Sequence, residues 1–166
     1  MCSGKTTLGK ALSQKTGYRF IDLDEYIENR EKMSVSEIFK KYGEKGFRNL
    51  EKKALHEVAS IDNCIISCGG GTPCFFDNID FMNIQGSTFF LEASEEKLLS
   101  RLMLYGASRP LVAGKTRHQV METIKTQLPA RLTFYKKAKH TFNADFLDSE
   151  EEIENSTINF IKEFAI

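Results

Sequence analysis

The sequence has no apolar run long enough to cross a membrane and no excess of charge of either sign. Its longest apolar runs are a few residues, as in Ser87–Leu91, whereas a membrane helix needs about 20. Lysine plus arginine number 23, as do aspartate plus glutamate, so no basic stripe predicts a nucleic-acid surface. We therefore expect neither a membrane nor a nucleic acid among the partners of this chain. Any anion site has to be built locally.

Targeting and metal-binding patterns are also missing. The N-terminus lacks the cationic and apolar regions of a signal peptide. No C-x-x-C pair occurs, and no histidine stands at ligand spacing from a cysteine. The four cysteines are Cys2, Cys64, Cys68 and Cys74. These absences disfavour a structural metal site and predict reduced thiols in a cytoplasmic protein. With 41% hydrophobic and 28% charged residues, the composition predicts a single globular domain, 1–166, with its own core.

Apolar strands alternate with amphipathic helices along the chain. Strands are predicted at 19–23, 64–67, 87–92 and 141–144, and the main helices at 6–16, 34–42, 46–59, 117–138 and from 149 onwards. The capping box at Ser34 predicts a helix start, Gly17 and Gly43 predict helix ends, and Pro129 predicts a disturbed or divided helix. The alternation indicates an α/β fold with a parallel sheet covered on both faces, in which ligands bind beyond the carboxyl ends of the strands.

The chain begins M-C-S-G-K-T-T, and Gly4-Lys5-Thr6 matches the second half of the phosphate loop G-x-x-x-x-G-K-[ST]. In such a loop, backbone N–H groups and a helix N-terminus converge on a phosphate. The lysine reaches the outer phosphates and the hydroxyl binds magnesium. The first glycine of the pattern would fall before Met1, and no strand precedes the loop. Two interpretations stay open, a nucleotide site and an ordinary capped helix start.

Two carboxylates end the segment Phe20-Ile-Asp-Leu-Asp24. Side chains at i and i+2 of a strand point to the same side, so Asp22 and Asp24 are expected to face the ligand crevice together. Beside a phosphate loop, one carboxylate can hold magnesium through water while the other orients or deprotonates an attacking hydroxyl. The alternative is that Asp24 only caps the helix that follows at 25–30.

An arginine and a run of glycines suit recognition of a small carboxylate. Arg48 and Glu51 lie three residues apart on one predicted helix face. This spacing is typical of a surface ion pair, but it also suits an arginine held by a glutamate to bind a carboxylate. Gly69-Gly70-Gly71 directly follows a strand. Three successive glycines let the backbone approach a ligand closely, which favours a functional turn over a plain one.

Two further arginines complete the candidates. Ser108-Arg-Pro-Leu111 lies in a polar segment between helices, which predicts a lid at roughly 105–117 whose Arg109 folds over a transferring phosphate. Arg131 lies four residues before Tyr135 on the long predicted helix. Either arginine taken alone would be an unremarkable solvated residue.

Taken in order, the motifs resemble those of the shikimate kinase family. That family shows a G-K-[ST]-T loop, an aspartate-x-aspartate strand end, F-R-x-x-E, a G-G-G turn, an R-P lid and a late arginine before a tyrosine. This chain carries them as Gly4–Thr7, Asp22–Asp24, Phe47–Glu51, Gly69–Gly71, Arg109-Pro110 and Arg131–Tyr135, from its first residue to about residue 146. Each motif is only moderately specific, whereas six in one order are strongly specific.

The resemblance implies ATP-dependent phosphorylation of the 3-hydroxyl of shikimate, giving shikimate 3-phosphate and ADP, within aromatic amino-acid biosynthesis. It implies a three-layer α/β/α P-loop kinase fold of strand order 2-3-1-4-5, with substrate-binding helices at 25–60, and a monomer that acts on MgATP and shikimate. ATP would contact Ser3, Gly4, Lys5, Thr6, Thr7, Arg101 and Arg109, and Mg²⁺ would be held by Thr6 and Asp22. Shikimate would contact Asp24, Arg48, Glu51, Gly69, Gly70, Gly71 and Arg131, and the catalytic residues would be Asp24, Lys5 and Arg109.

The same resemblance implies a part for each of these side chains. Lys5 would neutralise the β- and γ-phosphates, and Asp24 would bind a shikimate hydroxyl and act as the base. Arg48 and Arg131 would clamp the shikimate carboxylate, with Glu51 keeping Arg48 in place.

The match to the family motifs is less complete at the N-terminus and in the lid. By resemblance, Arg101 would pack on the adenine, and Arg109 would arrive with the closing lid, which also excludes water. The first strand and the first glycine of the loop are missing, and that strand is central in the family. We therefore expect two neighbouring strands with unpaired edges, as in a truncated chain that is poorly stable and weakly active.

Two other functions stay open from the residues alone. One is a related small-molecule kinase, for gluconate or a nucleoside monophosphate, although Arg48, Glu51 and the triple glycine suit a small carboxylated ring better. The other is a truncated or degenerate kinase-like protein that binds nucleotide without turnover. The intact Lys5, Asp24, Arg48 and Arg131 argue against such decay.

Overall fold

The computed structural model of the protein describes residues 2–105 and 114–165, so the predicted lid residue Arg109 lies outside the described residues. The helices are α1 (Lys5–Thr16), α2 (Leu23–Glu31), α3 (Val35–Val58), α4 (Asn78–Gln85), α5 (Glu95–Tyr105), α6 (Arg117–Tyr135) and α7 (Glu150–Phe164), with a short 3-10 helix at Thr72–Cys74. The strands are β1 (Arg19–Asp22), β2 (Cys64–Ser67), β3 (Phe89–Glu92) and β4 (His140–Asn143).

The four strands pair in parallel, as the sequence predicts. Strand β1 pairs with β2, and β3 pairs with β4. Within the two described ranges, the pairs form separate two-stranded sheets. A cavity of about 170 Å³ is lined by all of β3 and by the turn that follows β2. The expected order 2-3-1-4-5 places one further strand between these two pairs.

Helix starts follow from the capping residues in the sequence. Ser34, Thr116 and Ser149 each accept a backbone N–H through the side-chain oxygen, and each forms a reciprocal capping box with the residue three positions later. Such boxes satisfy N–H groups that a helix leaves without internal partners. Helix α1 ends at Gly17, whose left-handed backbone (φ 76°) lets its N–H donate to Ser13 O. The predicted starts at Ser34 and Ser149 and the predicted end at Gly17 are confirmed.

One of the two predicted helix breaks is confirmed. Gly43 has a non-helical backbone (φ 67°, ψ −179°) and separates α3 into two helical parts, as the predicted segments 34–42 and 46–59 require. The predicted division at Pro129 is wrong, because α6 continues through this residue. A proline removes one N–H donor from the helix. Because Pro129 and Lys125 are both exposed, the carbonyl that loses this donor can bond water instead.

Three apolar clusters hold the elements that carry the motifs. One lies under α2 and α3 and includes Ile27, Ile38 and Leu55. A second joins α1, β4 and α7, and the third joins α5 to α6. None of the helices in the described ranges combines the length and apolar content needed to cross a bilayer. The clusters therefore fix α2 and α3 against β1, α1 against β4 and α7, and α6 against α5.

Candidate active site

Gly4 begins helix α1 with a left-handed backbone conformation (φ 90°). A Cβ atom at this position would lie 2.5 Å from Leu147 Cδ1, so a larger residue would meet both backbone strain and a clash. Among the described residues, no side chain caps α1, and its first turn has no acidic residue. The N–H groups of this turn, with Lys5 and Ser3 on the wall of the adjoining cavity, suit a bound phosphate.

Thr6 and Asp22 lie side by side at the ends of α1 and β1. The Thr6 hydroxyl donates to Asp22 Oδ2 at 3.1 Å, which places two hard oxygen donors next to the phosphate loop. The described residues contain no cluster of three or more acidic, histidine or cysteine side chains that could hold a metal alone. Mg²⁺ typically takes one or two protein oxygens and completes its shell with water and substrate phosphates. The donor set therefore fits Mg²⁺ bound together with a nucleotide.

Asp24 reaches the site from a helix, not from a strand. Strand β1 ends at Asp22 and α2 begins at Leu23, so the predicted strand face shared by Asp22 and Asp24 is wrong. The reason is that Asp22 Oδ1 accepts the N–H groups of Asp24 and Glu25 and so starts the helix itself. Asp24 Oδ1 nevertheless lies 3.3 Å from where a Cβ on Gly69 would be. Asp24 therefore faces the glycine turn.

Arg48 and Glu51 form a buried pair at the centre of the site. Arg48 Nη1 donates to Glu51 Oε2 at 2.8 Å, and the two side chains are 11% and 1% exposed. The surface-pair interpretation is thereby excluded. The Arg48 guanidinium carbon lies 4.2 Å from the centroid of the Phe75 ring. Its Nη2 donates to Glu44 Oε1 at 3.4 Å, and its Nε is buried without a hydrogen-bond partner within the described part of the chain.

The glycine turn is packed between α3 and α6. A Cβ on Gly71 would lie 2.6 and 2.7 Å from the two terminal nitrogens of Arg48, so only glycine leaves the guanidinium where it is. From α6, the Tyr135 hydroxyl donates to Gly70 O at 2.6 Å. Burial raises the pKa of that phenol, and the nearby Arg131 opposes the rise. The turn is thus contacted by Arg48 from α3 and by Tyr135 from α6.

The pKa values of Cys68 and Cys74 are shifted by burial and by the charged residues near this turn. Burial, followed by the charge of Glu51, raises the pKa of Cys68 to about 12, while Lys5 lowers it and Asp24 and Asp22 add to the rise. Burial also raises the pKa of Cys74, against the charges of Arg131 and Arg48. The structure therefore brings together the phosphate-loop lysine, the aspartates, Glu51 and both arginines. Arg131 itself donates to Gln127 Oε1 at 2.9 Å.

Some residues of this site carry no sequence signal that distinguishes them. Phe75 looks like any aromatic residue after the turn, and Thr72 like any polar turn residue. Their contacts with Arg48 and Glu51 appear only in the folded chain.

Arg101 forms hydrogen bonds with the segment that follows β4. It is 5% exposed, its Nε bonds Asp148 Oδ1 at 2.5 Å, and its terminal nitrogens donate to Ala144 O and Asp145 O at 2.8 and 3.1 Å. Arg101 and Lys97 together lower the pKa of Asp148. The same segment places Leu147 against Gly4. A contact of Arg101 with adenine stays a prediction.

Arg101→Met should destabilise the protein by about 2–4 kcal/mol because a buried carbonyl and a carboxylate lose their donor. At this chain length the loss corresponds to a fall in Tm of roughly 5–15 °C, measurable by thermal denaturation. Lys97→Met is the matched control, since Lys97 pairs with the same Asp148 at the surface and should shift Tm by less than about 3 °C. Equal shifts in the two variants would contradict the anchoring role of Arg101.

Comparison with known proteins yields consistent matches. The family model described as shikimate kinase matches residues 1–162. The shikimate kinase of Phocaeicola vulgatus is 47% identical over 156 residues, which cover 94% of this chain and 89% of that protein. The crystal structure of shikimate kinase from Bacteroides thetaiotaomicron gives a TM-score of 0.97 at 44% identity, covering 100% of this chain and 94% of that one. Shikimate kinase from Acinetobacter baumannii, in complex with shikimate, gives 0.80 at 25% identity, covering 98% and 87%.

Proposed function

The chain belongs to the shikimate kinase family, and we propose that it transfers the terminal phosphoryl group of ATP to the 3-hydroxyl of shikimate. The products are shikimate 3-phosphate and ADP, and the reaction serves aromatic amino-acid biosynthesis. The observation that carries the proposal is the buried Arg48. It is held by Glu51 and places its two terminal nitrogens against Gly71 of the glycine turn.

Arg48 and Arg131 are proposed to bind the carboxylate of shikimate. A guanidinium offers donors in a planar fork that matches a carboxylate. Arg48 Nη1 donates to the buried Glu51 at 2.8 Å, whereas Nη2 makes only a 3.4 Å bond to the exposed Glu44, which a ligand can displace. Arg131 approaches from α6, and both arginines act on the thiol of Cys74. Gly69, Gly70 and Gly71 would line the ring, because they add no side chain to the pocket.

Asp24 is proposed as the base in the transfer step. Its carboxylate takes the proton of the 3-hydroxyl as that oxygen bonds to the γ-phosphorus. The bond between the γ-phosphorus and the bridging oxygen breaks, and its electron pair leaves with ADP. Lys5 and the N-terminus of α1 stabilise the negative charge on the phosphate oxygens. Gly4, Ser3 and Thr7 complete the proposed nucleotide loop.

Thr6 and Asp22 are the proposed residues for Mg²⁺, directly or through water, and the bound ion would neutralise charge on the β- and γ-phosphates. Arg101 would adjoin the adenine. Arg109 is proposed to close over the phosphate from the lid. Closure would keep water from competing with shikimate as the acceptor.

We further propose that the enzyme works as a cytoplasmic monomer. The four cysteines are free thiols in the structure, which is typical of a reducing compartment. Analytical ultracentrifugation of the purified protein tests the oligomeric state.

ADP release from MgATP, measured with and without shikimate, tests the function. Gluconate and AMP are the competing acceptors, and the methyl ester of shikimate tests the carboxylate clamp. We expect ADP release with shikimate but not with gluconate or AMP, and release with the ester only at a much higher KM. Release with gluconate or AMP instead would indicate another small-molecule kinase, and nucleotide binding without any release would indicate a non-catalytic protein.

Gly71→Ala should raise the KM for shikimate roughly 10- to 100-fold while the protein still folds. The added methyl would lie under 3.0 Å from the Arg48 guanidinium, and the far end of this side chain has to move away and lose ligand bonds worth about 1.5–3 kcal/mol. Steady-state kinetics with a parallel Tm measurement check the result. Gly86→Ala is the control, since a Cβ there meets nothing within 4 Å. A normal KM for Gly71→Ala would contradict the proposed clamp.

A further inference from the structure

Glu51 is a buried carboxylate whose two oxygens have different partners. Its Oε2 accepts from Arg48 Nη1 at 2.8 Å, and its Oε1 accepts from the hydroxyl of Thr72 at 2.7 Å. Glu51 is 1% exposed, so water cannot replace either donor readily. Any rotation of the carboxylate breaks at least one of these bonds. The orientation of Glu51 therefore depends on Thr72 as well as on Arg48.

Thr72 is itself held rigidly. It is fully buried (0% exposed) and opens the 3-10 helix directly after the glycine turn. Its N–H donates to Gly69 O at 3.0 Å. Its carbonyl accepts from Asn78 Nδ2 at 2.8 Å, and Asn78 is also 0% exposed. With its backbone bonded on both sides, Thr72 presents its hydroxyl to Glu51 from a fixed place.

The hydroxyl of Thr72 and the carboxylate of Asp24, the proposed base, both lie next to Gly69. The position of a Cβ on Gly69 is 3.3 Å from Thr72 Oγ1, 3.3 Å from Asp24 Oδ1 and 3.5 Å from Glu51 Oε1. Three oxygens from three different elements thus surround one glycine. Because Thr72 donates its only hydroxyl proton to Glu51, the Glu51 carboxylate keeps its place beside Arg48.

We propose that Thr72 is a positioning residue for shikimate binding. Its hydroxyl orients Glu51, and Glu51 orients the Arg48 guanidinium against Gly71 and Phe75. Thr72 acts only through these side chains and does not itself contact the substrate. The proposal rests on the proposed function, because it assigns the support of the same carboxylate-binding arginine.

Thr72→Val and Thr72→Ser separate the hydroxyl from the shape of the side chain. Valine keeps the branched shape without the donor, and we expect about a tenfold rise in the KM for shikimate from the lost buried hydrogen bond. The kcat and the KM for ATP should stay within about twofold, because a misplaced clamp weakens ground state and transition state equally. Serine restores the hydroxyl and should restore the KM. Thr126→Val, at an exposed threonine of α6, should leave all constants unchanged.

Several results would overturn the proposal. A normal KM in Thr72→Val, an equal defect in Thr72→Ser, or a parallel rise in the KM for ATP would each do so. If the valine variant does not fold, Thr72→Ala must show the same selective rise. In a Glu51→Gln background, Thr72→Val should add less than about twofold, and an additive effect would contradict the shared pathway.

The assay of the wild-type protein distinguishes a failure of this proposal from a failure of the proposed function. A wild type without shikimate-dependent ADP release refutes the proposed function and this inference together. An active wild type with an unaffected Thr72→Val variant refutes the role of Thr72 alone.

Discussion

Asp24→Asn should lower the kcat for shikimate phosphorylation by about 10²- to 10⁴-fold, the range typical of a lost general base. The amide keeps the size and hydrogen-bonding reach of the carboxylate but cannot take the hydroxyl proton at neutral pH. The KM values for shikimate and ATP should change only a few-fold. A coupled assay of ADP release at saturating substrates measures the effect.

The substitution leaves the N-terminal cap of α2 in place. Helix α2 is capped by Asp22, not by Asp24, so the substitution removes no cap. Asp62→Asn, at an exposed aspartate in the loop before β2, is the matched control and should behave as wild type. A kcat within about threefold of wild type for Asp24→Asn would reject Asp24 as the base.

Arg48→Lys should lower kcat/KM for shikimate by roughly 10²-fold, mainly through KM. Lysine keeps the positive charge, but a single ammonium cannot bond Glu51 and also offer a planar fork to a carboxylate. Charge-assisted hydrogen bonds are worth about 1.5–3 kcal/mol each, so the loss of one or two accounts for this factor. Steady-state kinetics with shikimate varied at fixed MgATP measure it, and the KM for ATP should not change.

The methyl ester of shikimate gives a second measure of the same contact. If Arg48 binds the carboxylate, Arg48→Lys should lower kcat/KM much less for the ester than for shikimate, since the ester lacks the negative charge. Arg30→Lys, at an exposed arginine that pairs with Glu57, controls for arginine replacement in general and should be neutral. An equal loss with both substrates would place Arg48 outside the carboxylate site.

Local sequence patterns predicted the helices and strands well, because each helix or strand depends mainly on residues close to it in the chain. The period of apolar residues indicated the parallel α/β fold, and the capping box at Ser34 and the predicted start at Ser149 are helix starts that the structure confirms. Local reasoning failed where a residue outside the pattern intervened. Asp22 capped α2 and so ended β1 before Asp24. Exposure of Pro129 let α6 continue through it.

By itself, the sequence determined the fold class, the order of the motifs and the resemblance that the family match then confirmed. Only the tertiary structure decided that Arg48 and Glu51 are buried instead of being a surface pair. It alone showed that Thr72, 21 residues from Glu51, bonds that carboxylate. The reason is physical: periodicity and capping report on the backbone of one segment. Burial and pairing of a side chain depend on which distant segments the fold brings against it.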